Sequence, residues 1–322
     1  MGEQKPEKTK KHICAGLLAH VDAGKTTLSE AMLYEAGARR TLGRVDHQDA
    51  FLDTHALERA RGITIFSKQA LLETAHRAVT LVDTPGHVDF STETERTLQV
   101  LDYAVLVVSG TDGVQSHTET LWRLLRRYHV PTFVFVNKMD LPGKSREELL
   151  AQLNHRLGEG FVAFDVPQAD RDEALALCDE NLMDRMLGAG QLTDADIIPA
   201  VARRHVFPCW FGSALRRTEN DALESVDALM DGIDRYTRPA PALDAFGAKV
   251  FKVSQDEQGT RLTWLRVTGG ELKVKAQLSG EADGEPWEEK ANQLRLYSGV
   301  KYTLAEAIGP GQVCAVTGLT KA

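Results

Sequence analysis

The 322-residue chain predicts an α/β protein in two parts: a mostly parallel sheet with helices on both faces, then a small antiparallel β-barrel. Three observations predict this. Apolar strand-like runs alternate with amphipathic helix-like runs from about residue 12 to 240. Those strands are apolar throughout, as they must be when both faces of a parallel sheet are covered. After the proline- and alanine-rich stretch "TRPAPALDAFG" (237–247), the pattern changes to period two with glycine punctuation, which is the mark of an antiparallel barrel.

The elements follow in order. Residues 1–11, "MGEQKPEKTKK", are polar and lysine-rich and predict a disordered tail. A strand is expected at 13–18, a helix at 26–36 and a segment of little periodicity at 37–62. Strands are expected at 63–72 and 78–82, and a helix at 92–101. "AVLVVSG", "HTETLWRLLRRY" and "PTFVFVNK" read as strand, helix, strand. Residues 143–203 break the rhythm with acidic, alanine-rich helical runs and predict a helical insert within the α/β domain. "HVFPCWFGSA" and "ALESVDALMDGIDRY" resume the alternation, so the domain is expected to span 12–240 and the barrel 241–322. "AKVFKVSQ", "TRLTWLRVTGGEL", "NQLRLYSG" and "QVCAVTGL" are the expected barrel strands.

Composition narrows the function. No apolar run reaches the roughly 18–20 residues of a membrane span, so no membrane partner is expected. The net charge of −8 argues against bulk attraction to nucleic acid, and no DNA partner is expected, although a local basic patch stays compatible with a large RNA. Cys14, Cys178, Cys209 and Cys314 are scattered with no C-x-x-C pair, so buried free thiols in a reducing cytoplasm are the expected reading. A monomer is expected.

"AHVDAGKTT" (19–27) lies between a strand and a helix and matches a phosphate-binding loop, except that Ala19 stands where the pattern has its first glycine. Alanine is small enough there if its φ is negative. Backbone N–H groups over His20, Val21, Asp22, Ala23, Gly24, Lys25, Thr26 and Thr27, with the following helix N-terminus, would form an anion nest. Lys25 would meet the β- and γ-phosphates and Thr26 would offer a hydroxyl to Mg²⁺. Alone, the stretch could be a glycine-containing turn with an accidental lysine. Four further segments in the right order support it. "DTPGH" (83–87) puts Asp83 where a carboxylate holds Mg²⁺ through water and Gly86 where an N–H senses a γ-phosphate, though these residues also form an ordinary capped turn. "RGITI" (61–65) places Thr64 in a segment that could close over the same metal, though it also reads as a plain strand start. In "NKMD" (137–140), Asp140 can accept from guanine N1–H and the 2-amino group, Asn137 can contact N7 and Lys138 lies between them; adenine offers no such donors. "GSA" (212–214) and the next residue put Ser213, Ala214 and Leu215 where a backbone N–H can meet guanine O6.

Taken together, "AHVDAGKTTL", "ERARGITI", "DTPGHVDF", "GVQSHTETLW", "NKMD" and "GSA" resemble the translational GTPases, in particular the elongation factor G family and its TetM-type tetracycline-resistance members. The likeness extends over nearly the whole chain, including "VFKV" and "TWLRVTGGELK", and those relatives share the alanine at position 19. It implies a P-loop GTPase fold, GTP/GDP with Mg²⁺, and the ribosome as partner. It also implies that His87 positions the attacking water and that Asp22 acts through a monovalent cation such as K⁺, roles that spacing alone does not assign.

By this reading Lys25 and Mg²⁺ neutralise phosphate oxygens, Thr26 and Thr64 hold the metal with Asp83 behind them, and His87 orients water. No built-in arginine finger is evident beyond the candidates Arg59 and Arg61, so turnover is expected to be slow until the ribosome completes the site. Relatives of this kind carry further domains after the barrel, and the chain is expected to be a fragment. A GTP-dependent ribosome-binding module with negligible turnover therefore stays open beside the enzyme, and a sulfate-activating enzyme on the same scaffold is disfavoured by "RGITI" and "GVQ".

Overall fold

A computed structural model describes residues 10–39, 41, 43, 68–85, 91–215, 223–282 and 284–322. The first part is built on strands β1 (Lys11–Ala19), β2 (Lys68–Glu73), β3 (Arg77–Asp83), β4 (Tyr103–Ser109), β5 (Thr132–Asn137), β6 (Phe161–Ala163) and β7 (Phe207–Phe211). They form one sheet in the order β2-β3-β1-β4-β5-β7-β6. Every neighbouring pair is parallel except β2 with β3, which is antiparallel at the edge.

Side chains alternate across this sheet into two cores. Ile13, Leu17, Tyr103, Val105, Val107, Phe133, Phe135 and Trp210 fill one face. Cys14, Leu18, Leu106, Val108, Val134, Val136 and Cys209 fill the other. This two-sided burial is why the strands read as unbroken apolar runs. Helices α1 (Lys25–Glu35) and, near the end of the domain, α8 (Glu224–Tyr236) cover the first face through Leu28, Met32, Val226 and Leu229. Helices α2 (Ser91–Leu98), α3 (Ser116–Arg127) and α4 (Arg146–Leu157) cover the second through Leu98, Leu121, Trp122, Leu125 and Leu153. Helix α4 opens with a reciprocal cap, Ser145 and Glu148 each bonding the other's backbone N–H.

Residues 143–203 hold α4, then α5 (Gln168–Ala176), α6 (Glu180–Ala189) and α7 (Asp194–Ala202). They are not wholly helical. Strand β6 lies among them and pairs with β7, extending the sheet. Asp179 starts α6 by accepting from the N–H groups of Asn181 (2.9 Å) and Leu182 (3.3 Å), and it also holds His205 (2.6 Å) and Arg203 (3.3 Å).

Beyond 240 the chain is antiparallel. Strands β8 (Gly247–Gln255), β9 (Arg261–Gly269), β13 (Gln293–Ser298), β14 (Lys301–Ala305) and β16 (Val313–Thr317) form a sheet ordered β14-β13-β16-β9-β8. Two small pairs complete it: β10 (Leu272–Lys273) with β15 (Ala307–Ile308), and β11 (Gln277–Ala282) with β12 (Glu285–Lys290). Leu265, Val267, Leu294, Ile308, Cys314 and Val316 make its own core. The two parts meet through a buried ion pair: Arg266 Nη2 lies 2.6 Å from Asp102 Oδ1, and Asp102 Oδ2 accepts the Cys14 N–H at 2.9 Å. All four cysteines are free, with Cys14, Cys209 and Cys314 buried. Among the described residues no helix is long and apolar enough to cross a membrane.

Candidate guanine-nucleotide site

In a parallel sheet all C-terminal strand ends lie along one edge, and the loops leaving them become neighbours. Here β3, β1, β4, β5 and β7 are consecutive, so the loops after Asp83, Ala19, Asn137 and Phe211 converge.

The loop after β1 is shaped by its backbone. Asp22 (φ 62°) and Gly24 (φ 91°) are left-handed, and Gly24 caps α1. The Ala23 N–H donates to His20 C=O at 3.2 Å, and Leu28 N–H to Gly24 C=O at 2.9 Å as the helix begins. Glycine is required at 24 for a second reason: a Cβ there would collide with Asn137 Nδ2. Lys25 opens the helix and is buried; its Nζ pairs with Asp83 Oδ1, and the Asp83 carboxylate is fully buried at the end of β3. Thr26 and Thr27 follow on the first turn, half-buried.

Asn137, 3% exposed, is the clasp of the site. Its Nδ2 donates to Ala23 C=O at 3.0 Å, and its Oδ1 accepts the Ala214 N–H at 3.0 Å. One side chain therefore ties the loops after β1, β5 and β7 together. Its amide keeps a second N–H for a ligand. Lys138 is left-handed (φ 65°) and half-buried, the Met139 N–H donates to Gly212 C=O at 3.0 Å, and Asp140 is exposed beyond that turn. Ser213 is buried and its hydroxyl accepts the Leu215 N–H at 3.3 Å.

His117, which the motif reading passed over, lies on the first turn of α3 and meets His20 edge-to-face, with ring centroids 5.8 Å apart. It stands inside "GVQSHTETLW", and the only sequence signal was its place in that motif. His20 Nδ1 is buried and has no hydrogen-bond partner among the described residues. Thr64, Gly86 and His87, and the candidates Arg59 and Arg61, lie outside the described residues.

The donor set suits Mg²⁺ rather than a softer metal: a threonine hydroxyl and a buried carboxylate, both oxygen, beside a lysine that supplies positive charge. Among the described residues no cluster of three or more His, Cys, Asp or Glu could hold a metal ion. A cleft between the end of α1, the β2–β3 turn and α8 is lined by Glu35, Glu73, Asp231 and Asp234, whose charges would repel phosphates.

The sequence pattern of the family described as "Elongation factor Tu GTP binding domain" matches residues 10–239. Elongation factor G of Ureaplasma urealyticum is 30% identical over 94% of this chain and 53% of its own length. The tetracycline resistance protein TetM of Streptomyces lividans is 36% identical over 87% of this chain and 48% of its own. A crystal structure of a Thermus thermophilus protein superposes with a TM-score of 0.82 at 27% identity, covering 95% of this chain and 52% of that one. The chain thus spans about half the length of the curated relatives it matches. By that match over residues 10–239, the chain belongs to the translational GTPases that share the elongation factor Tu GTP-binding domain.

Proposed function

We propose that the chain binds GTP with Mg²⁺ at the loops after β1, β3, β5 and β7 and hydrolyses it slowly, and that the ribosome completes its catalytic site. The observation that supports this best is the Asn137 clasp, which joins the phosphate loop to both base-recognition loops.

The phosphates would lie on the N–H groups of residues 20–27 at the positive end of α1. Lys25 would exchange its bond to Asp83 for the β- and γ-phosphate oxygens, and the freed Asp83 carboxylate would face the metal through water. Thr26 and Thr64 would hold Mg²⁺, which when bound neutralises developing phosphate charge. Asp140 would accept from guanine N1–H and the 2-amino group, Asn137 and Lys138 would frame the base, and Ser213, Ala214 and Leu215 would close over O6. Gly86 would sense the γ-phosphate and His87 would orient the attacking water. Asp22, exposed and left-handed in the loop, would hold a K⁺ ion beside the phosphates. Residues 12–240 would act as the GTP-binding domain and 241–322 as the barrel, in a cytoplasmic monomer.

A second reading rests on the motifs, in which no built-in arginine finger is evident beyond Arg59 and Arg61. In it, the nucleotide only sets the shape of a ribosome-binding surface, with negligible turnover. GTP hydrolysis by the purified chain, with and without 70S ribosomes and beside His87→Ala, separates the two. Stimulation that the variant loses supports the enzyme. Tight GTP binding without stimulation supports the binding module. Failure to bind GTP removes both.

A further inference from the structure

At the opposite end of the sheet from the nucleotide loops, the start of β5 carries a knot of arginines. Two segments meet there: "RLLRRYH" (123–129), closing α3, and "RRH" (203–205), following α7. They hold five arginines and two histidines and no acidic residue, on a chain of net charge −8. Strand β5, of six residues at ~3.3 Å each, places this knot roughly 20 Å from Asn137.

Arg204 is its anchor. The residue is left-handed (φ 62°), and its guanidinium stacks on Trp122 (4.9 Å) and Phe207 (5.1 Å). Its Nη1 donates to Val130 C=O and to Thr132 Oγ1, but Nη2 is buried with no partner among the described residues. Burial, and then the like charge of Arg126, lower its pKa to about 10. Arg127 is paired with Glu95, and Arg203 with Asp179. Arg126 is exposed and has no acidic partner among the described residues, and Arg123 meets only Thr120 Oγ1, at 3.1 Å. Arg123 and Arg126, one turn apart and exposed, with no acidic partner among the described residues, leave guanidinium donors for an external anion.

Residues 123, 126 and 127 stand at i, i+3 and i+4 on one helix and are all exposed, so they make an open face rather than a single pocket. No large apolar side chain is exposed along 121–131 or 203–207. A peptide partner would find no hydrophobic anchor on these two segments, the exposed Leu177 lying outside them near Asp179. A repeating phosphate backbone needs none, because its binding is mainly charge neutralisation.

We propose that this arginine face binds the phosphate backbone of RNA. The site is separate from the nucleotide loops, so it can stand if the nucleotide reading fails, and the reverse. The test is fluorescence anisotropy of a fluorescein-labelled RNA hairpin against the full chain, with and without GDP and Mg²⁺, over about 50–200 mM salt. The probe is compared with a polyglutamate peptide of equal charge, and the chain with Arg123→Gln/Arg126→Gln. Both residues are exposed, so the fold and GDP affinity of the double variant should be unchanged. The proposal expects RNA binding in preference to the peptide, and a log–log salt slope that falls by about 1.5 in the variant, for two lost contacts at ~0.7–0.9 each. No RNA binding at the lowest salt, equal binding of the peptide, or a slope the variant leaves unchanged would overturn it.

Discussion

Replacing Asn137 by alanine is the sharpest test of how the nucleotide loops are held. The side chain makes two buried hydrogen bonds of 3.0 Å, to Ala23 C=O and from the Ala214 N–H, and both of those residues are buried. Each bond contributes about 1 kcal/mol net, and stranding the two backbone groups adds roughly 1–3 kcal/mol where water cannot reach them. The site is open on its ligand side, so water will recover part of that. A loss of about 2–3 kcal/mol remains. If it falls on the loops, GDP affinity drops by roughly 30- to 150-fold. If it falls on the fold, the melting temperature drops by about 4–12 °C for a domain of this size. Displacement of a fluorescent GDP analogue, alongside a thermal melt, reads both. Asn137→Asp is the informative companion. It keeps an acceptor for Ala214 but sets an oxygen against Ala23 C=O, so it should be no better than alanine. An Asn137→Ala chain that binds GDP within about threefold of wild type and melts unchanged would refute the clasp.

Other consequences can be checked in the same preparations. Gly24→Ala forces a left-handed alanine, at about 1–2 kcal/mol, and drives its Cβ toward Asn137 Nδ2, so GDP affinity should fall at least about tenfold while circular dichroism is unchanged. Arg266→Met leaves Asp102 buried without its cation; a loss of about 3–5 kcal/mol in thermal or urea unfolding is expected, with partial recovery in Asp102→Asn/Arg266→Met. Burial alone would raise the pKa of Asp179, but bonds from His205, Asn181, Leu182 and Arg203 outweigh it and hold the group down to about 2. Its folded pKa is below the unfolded one, so its contribution is present above about pH 4 and is lost as pH falls toward 2. Asp179→Asn should therefore be less stable than wild type at pH 7, and the gap should close on acid titration; a gap independent of pH would contradict the assignment.

Much of this is legible in the sequence because the chemistry is local. A phosphate loop needs a left-handed glycine before a helix, and Gly24 announces it. The two-sided sheet needs apolar strands, and β1, β4 and β5 read as such, within one or two residues of their ends. What escapes is decided by partners distant in sequence. Strand β6 is three residues long and looks like helix connection; only its pairing with β7 makes it a strand. The strand expected from 63 is described from Lys68. The hairpin of β11 and β12 is not evident beforehand because "EPWEEK" is too charged to show an apolar face. The motif marks Asn137 as a base contact, yet its two protein bonds reach 114 and 77 residues along the chain, which no motif spacing encodes. His117 does not stand out within its motif, because its contact with His20 exists only once α3 packs beside the phosphate loop.

The most direct test of the central claim is nucleotide selectivity. A fluorescent GDP analogue bound to the purified chain with Mg²⁺ is competed with GTP, GDP and ATP, and again in Asp140→Asn, which replaces the carboxylate proposed to face guanine N1–H and the 2-amino group. Two charge-assisted bonds at about 1.5–3 kcal/mol each predict that GTP and GDP displace the probe at least about a hundredfold better than ATP, and that Asp140→Asn loses most of that preference. Equal displacement by ATP, or selectivity unchanged in the variant, would contradict a guanine site built from these loops.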